Sequence, residues 1–169
     1  MHTVQKKVCL LGDFAVGKTS LIRRFVEGRF DDKYLSTIGV KISRKTLERE
    51  DHRLNLLIWD LAGGDDFSKA SANYLRGAAG ALLVCDLTRA TTLVTLTDYA
   101  QQLRAMDETA VLILVGNKAD LLDERQISDE ALATVAETFA APYLLTSALT
   151  GHHVEDAFYH LAEAIETLP

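Results

Sequence analysis

Gly12-Asp13-Phe14-Ala15-Val16-Gly17-Lys18-Thr19 sets two glycines, a lysine and a hydroxyl at a spacing suited to holding phosphate. The pattern is G-x-x-x-x-G-K-[ST]. Gly12 and Gly17 let the backbone curl, so that successive N–H groups point into one concavity that takes phosphate oxygens. Lys18 would neutralise β- and γ-phosphates, and the Thr19 hydroxyl is a hard oxygen ligand suited to Mg²⁺. The preceding run Val8-Cys9-Leu10-Leu11 reads as a buried strand. The segment from Thr19 to Glu27 reads as a helix whose N-terminal end adds positive potential. That strand–loop–helix context separates a phosphate loop from a chance glycine turn.

A second constellation, Asn117-Lys118-Ala119-Asp120, directly follows the strand-like run Val111 to Val115. A carboxylate at Asp120 would accept two hydrogen bonds from guanine, at N1–H and the 2-amino group, a pattern adenine cannot supply. Asn117 would brace the site, and the Lys118 stem would lie along the base plane. Trp59-Asp60-Leu61-Ala62-Gly63 ends another strand with an acid and then a glycine. Asp60 suits Mg²⁺, directly or through water, and the Gly63 N–H would reach a γ-phosphate. Thr37 would supply a second hydroxyl ligand from a loop. Thr146-Ser147-Ala148 would offer backbone N–H groups to the guanine carbonyl.

These loops need a scaffold that brings them to one edge. Strand-like runs alternate with helical periodicity along the chain. Val4 to Leu11, Val40 to Leu47, Leu54 to Trp59, Ala79 to Cys85, Val111 to Val115 and Pro142 to Thr146 read as strands. The second and third flank the polar turn Glu48 to Arg53, which suggests a hairpin and a solvated run of charge. Lys18 to Glu27 is the first helix, and Arg29 to Gly39 a loop. Leu96, Tyr99, Leu103 and Met106 share one helical face. Ser128 would cap a helix running to about Phe139. Val154, Phe158, Leu161, Ile165 and Leu168 form the stripe of a last helix. The order β-α-β-β-α-β-α-β-α-β-α predicts an α/β fold: a sheet of about six strands, mostly parallel with one antiparallel strand, and helices on both faces. Ligands in such sheets bind at the carboxyl ends of the strands.

Composition narrows the classes further. The chain has 169 residues, which suits one domain, and a formal net charge of −6, which gives no support to a nucleic-acid partner. Cys9 and Cys85 sit in apolar runs and read as buried thiols of a reducing, cytoplasmic compartment. Apolar runs are too short to span a bilayer. Glu166-Thr167-Leu168-Pro169 carries no cysteine for prenylation, so no direct membrane anchor is expected in this chain. A monomer is expected.

The five stretches together resemble the Ras superfamily of small GTP-binding proteins, over essentially the whole chain. The likeness leans towards the Rab branch through Tyr34 to Val40, Trp59 to Gly63 and Tyr74-Leu75-Arg76-Gly77-Ala78. The resemblance implies a single P-loop G domain over residues 1–169 that switches between GTP and GDP with Mg²⁺. It implies that Ala15, Val16, Gly17, Lys18, Thr19 and Ser20 hold the phosphates. Thr19 and Thr37 would bind Mg²⁺, with Asp60 reaching it through water. Phe30 would pack against the guanine edge and Tyr34 close over the phosphates. Asn117, Lys118 and Asp120 would read the base, helped by the Ser147 and Ala148 backbone. Lys18, Thr37, Gly63 and position 64 would carry hydrolysis. Effectors would touch residues 30–45 and 59–76, with Ile42, Trp59 and Tyr74 as an apolar patch and Trp59 exposed within it. An exchange factor and a GTPase-activating protein are implied partners.

Three positions depart from the family. Gly64 stands where a glutamine usually orients the attacking water. Asp65 and Asp66 are near, but a carboxylate would repel the γ-phosphate. Phe14 stands in the phosphate loop where a small residue is usual; its ring would either block an incoming arginine or point outward over the first switch. Leu149 follows Ser147-Ala148 where lysine is common. These departures leave two readings open, a slow GTPase and a GTP-locked binding module that does not hydrolyse. A P-loop kinase or ATPase is disfavoured by Asn117 to Asp120.

Overall fold

The apolar end of the first strand is fully buried. Strand β1 spans His2–Leu11, and Val8, Cys9, Leu10 and Leu11 are at most 1% exposed. The computed structural model describes residues 2–28, 40–61, 63 and 73–168. After β1 come helix α1 (Lys18–Glu27), strands β2 (Val40–Glu48), β3 (His52–Leu61) and β4 (Ala78–Asp86), and helix α2 (Thr91–Met106). Strand β5 (Val111–Asn117), helix α3 (Asp129–Thr138), strand β6 (Tyr143–Leu145) and helix α4 (Val154–Glu166) complete the order. The described strands form one sheet in the order β2-β3-β1-β4-β5-β6. β2 pairs antiparallel with β3, and every other pairing is parallel. This is the expected mostly parallel α/β sheet. The expected loop Arg29 to Gly39, and the helix expected between β3 and β4, lie outside the described residues.

Two cores follow from the two-residue period of β1. Val8 and Leu10 face one side with Phe25 of α1, Ile58 of β3 and Phe158 of α4. Cys9 and Leu11 face the other with Leu96 and Leu103 of α2 and Leu132 of α3. Buried on both faces, the carboxyl half of β1 and strands β4 and β5 read as continuous apolar runs rather than alternating ones. Both cysteines are free and buried. No helix among the described residues is long and apolar enough to cross a membrane.

Local signals account for the helix ends. Ser128 Oγ accepts from the Ala131 N–H at 3.1 Å and starts α3, as its position predicts. Gly28, at φ 71°, closes α1 with its N–H donating to the Arg24 carbonyl. Two stripe residues differ from expectation. Met106 and Leu168 are 44% and 40% exposed, because each falls at or beyond the last turn of its helix.

The Glu48 to Arg53 turn is not a merely solvated run. Arg49 Nη2 pairs with Glu166 at 2.9 Å, and His52 bridges Asp51 (2.7 Å) and Glu166 (3.0 Å). The hairpin tip is thereby tied to the end of α4. Hydrogen bonds to Asp51 and then Glu166 hold the His52 imidazole above its ordinary pKa. Burial pushes Glu166 up, but Arg49 and His52 outweigh it and leave the carboxyl below its usual range. His52 also draws Asp51 down. A raised histidine contributes stability below its unfolded pKa and loses it as pH rises through the folded value; lowered carboxylates contribute above their unfolded pKa and lose it as pH falls. The tie is therefore strongest at roughly pH 5 to 6.5. Thermal unfolding at about pH 6 and about pH 8 checks this. The wild type should lose more stability over that rise than His52→Gln, and parallel profiles would remove the tie from the stability account.

Candidate functional site

The turn between β1 and α1 builds a cradle from backbone. Ala15 (φ 61°) and Gly17 (φ 105°) both take left-handed conformations. Gly17 also caps α1 with no side-chain bond, leaving the first N–H groups of the helix facing the turn. A Cβ on Gly17 would lie 2.3 Å from Asn117 Nδ2, so only glycine fits there. Lys18 is 6% exposed and curls back, donating to the carbonyls of Gly12 (3.0 Å) and Asp13 (3.1 Å). Burial lowers its pKa to about 8, although Asp60 and Asp13 draw it up and Arg89 adds to the lowering. A buried ammonium whose hydrogen bonds go to neutral carbonyls favours an anion at its side.

The end of β3 meets this cradle. Thr19 Oγ1 donates to Asp60 Oδ2 at 2.5 Å, and Asp60 is 1% exposed. A hydroxyl and a carboxylate side by side are hard oxygen donors, and they fit Mg²⁺ by the chemistry of the donor set. Gly63 lies against the phosphate loop: a Cβ there would come within 2.2 Å of the Gly12 carbonyl oxygen. Ser20 is half-buried in the first turn of α1. Phe30, Tyr34, Thr37 and Gly64, with Asp65 and Asp66, lie outside the described residues.

β5 and β6 bring the base-reading residues to the same edge. Asn117 Nδ2 donates to the Val16 carbonyl at 3.0 Å, and its Oδ1 accepts from Thr146 Oγ1 at 3.0 Å. The Ala119 N–H donates to the Thr146 carbonyl. Ser147 Oγ donates to Asp120 Oδ1 at 2.8 Å, which orients that half-buried carboxylate. Ser147 and Ala148 are 1% and 5% exposed, whereas Leu149 is 48% exposed. Lys118 takes φ 68°, and its ammonium pairs with Asp86 Oδ2 at 2.8 Å. Asp86 and Arg89 are site residues that sequence reasoning did not assign, and for Thr146 it named only a backbone role and missed the hydroxyl's bond to Asn117. An acid closing the apolar run of β4 was the available signal for Asp86.

Phe14 is 48% exposed, so its side chain lies outward rather than in the cradle. Its N–H donates to Asp13 Oδ1 (2.8 Å), and its carbonyl accepts from Arg89 Nη2 (2.5 Å). On the far side of β3, Ile42 pairs with Trp59 across the hairpin, and Tyr74 stands 6.0 Å from the indole. Ile42 and Tyr74 are 53% and 43% exposed. Trp59, expected to be exposed, is half-buried: the Lys7 ammonium lies 3.8 Å from its ring centroid. A cation over the indole face is a favourable contact that covers the ring.

Comparison with known proteins agrees with this arrangement. The model of the Ras family matches residues 7–167. The chain is 39% identical to the Ras-related protein Rab-10 of Caenorhabditis elegans over 163 residues, covering 94% of this chain and 80% of that protein. It is 39% identical to the Ras-related protein RABA4b of Arabidopsis thaliana over 160 residues, 94% of this chain and 71% of that one. It is 35% identical to the Ras-related protein Rab-22A of Homo sapiens over 160 residues, 94% of this chain and 82% of that one. Proteins of this family bind guanine nucleotide with Mg²⁺ and interact with effectors, exchange factors and activating proteins. The chain belongs to the Ras family and is a Rab-like small GTPase.

Proposed function

We propose that this protein is a cytoplasmic, monomeric guanine-nucleotide switch, one G domain over its length, that hydrolyses GTP slowly. The observation that carries the reading is the convergence of three loops: Lys18 and Thr19 beside Asp60, and Asn117 bonded across to Val16. In this reading the N–H groups of residues 15–20 and the Lys18 ammonium bind the phosphates, and Asp120 with the Ser147 and Ala148 backbone binds guanine. Thr19, Asp60 and Thr37 hold Mg²⁺, which neutralises charge on the phosphates when bound. Phe30 packs on the guanine edge and Tyr34 covers the phosphates. Thr37 and Gly63 sense the γ-phosphate, so residues about 30–40 and 61–76 differ between GTP and GDP states, within an effector surface of residues 30–45 and 59–76. Effectors read that difference at Ile42, Trp59 and Tyr74.

Slow turnover follows from Gly64, which has no side chain to orient water. The second reading, a GTP-locked module, draws on the same Gly64; the outward, exposed ring of Phe14 adds no block to the cradle itself. Single-turnover hydrolysis of Mg²⁺-GTP, with Gly64→Gln in parallel, separates them. A slow but finite rate, raised at least about tenfold by glutamine, is expected. Rapid wild-type turnover sinks the slow-switch reading, and no turnover in either protein establishes the locked module.

A further inference from the structure

We propose that Asp86 and Arg89 form a brace that aims the phosphate loop's N–H groups and ties that loop to the base loop. The inference rests on the nucleotide-switch reading for its purpose, but its geometry stands on these residues alone. Asp86 is the last residue of β4, and its side chain is 1% exposed. Four donors converge on it. Thr88 gives its N–H (2.9 Å) and Oγ1–H (2.6 Å) to Oδ1. Arg89 Nε (3.1 Å) and Lys118 Nζ (2.8 Å) share Oδ2. Burial would raise this carboxyl, but Lys118 and Thr88 hold it below its usual range, so it stays an anion at neutral pH.

The guanidinium of Arg89 then works as a rigid bar. One edge rests on Asp86, and Nη2 reaches the Phe14 carbonyl. A guanidinium's donors lie in one plane, so fixing Nε on the acid also fixes where Nη2 points. The consequence comes from peptide geometry. In a trans peptide the C=O of one residue and the N–H of the next point in opposite directions. Holding the Phe14 carbonyl from behind therefore aims the Ala15 N–H the other way. Asn117 does the same to the next peptide but one: its bond to the Val16 carbonyl aims the Gly17 N–H. Ala15 is the non-glycine residue of this turn held at positive φ, a conformation that persists only when its surroundings enforce it. Arg89 is a positioning residue that helps enforce it, and Asp86 links that hold to Lys118 at the base loop.

Hydrogen exchange of the GDP-loaded protein, together with release of a fluorescent GDP, tests the brace. Arg89→Ala should raise exchange at residues 14–17 and speed GDP release about tenfold or more, with the base loop protected as before. Asp86→Asn should loosen both loops together. Arg89→Lys should not restore protection, because one ammonium cannot span both partners. Unchanged exchange in Arg89→Ala overturns the brace, and so does full rescue by lysine, which would assign the effect to charge alone. If the wild type fails to retain GDP, the functional reading falls, while exchange at the Phe14 N–H, which donates to Asp13 Oδ1 in the free protein, still decides the brace.

Discussion

Asp120→Asn is expected to weaken GTP binding by about 10² to 10³ and to reverse the preference between GTP and XTP. Guanine presents two donors on the edge that the carboxylate faces. Ser147 Oγ donates to Asp120 Oδ1 at 2.8 Å, and an asparagine carbonyl oxygen would keep that bond. The amide nitrogen then replaces the other carboxylate oxygen, and a donor meets the 2-amino donor of guanine. Both are left unpaired in a half-buried site, which costs more than the lost bond. Xanthine carries a carbonyl at that position and accepts from the amide. Competition between GTP and XTP for the purified variant gives the answer directly. An unchanged preference would take Asp120 out of base recognition.

Gly17→Ala is expected to abolish tight nucleotide binding. The new Cβ would sit 2.3 Å from Asn117 Nδ2, and the backbone holds φ at 105°, where side chains are strained. Asn117 cannot yield without giving up its bond to the Val16 carbonyl, so the phosphate loop and the base loop lose their direct link together. A release rate at least about a hundredfold faster is expected, from a lost buried hydrogen bond added to backbone strain. Gly28→Ala is the control. It sits at φ 71° with open space around its Cβ, so only a conformational cost of about 1–2 kcal/mol applies and nucleotide is retained. Equal release from both variants would mean that strain, and not the Asn117 contact, governs binding.

Much of the scaffold was legible because its signals are local. The bounds of α1, the Ser128 cap and the apolar runs of β1, β4 and β5 depend on neighbours in sequence. Strand ends were less legible. β3 runs on to Leu61 and β5 to Asn117, since backbone pairing continues after the apolar run stops. The phosphate loop, Asp60 and Asn117 to Asp120 could be assigned from residue type because each chemistry needs a fixed short spacing. Trp59 could not be placed. Its type suggested an exposed anchor, but Lys7, which covers it, lies on a strand distant in sequence.

By itself the sequence determined which residues carry chemistry here, and that strands and helices alternate, because spacing and period are written in adjacent residues. Only the tertiary structure decided how those residues are held. Arg49 meets Glu166, Arg89 meets Phe14, and Asn117 meets Val16 across separations of 117, 75 and 101 residues. The last two exist only once parallel pairing has brought the carboxyl ends of β1, β4 and β5 side by side. No local preference encodes them, since each partner's role is set by whatever the folded sheet places opposite it.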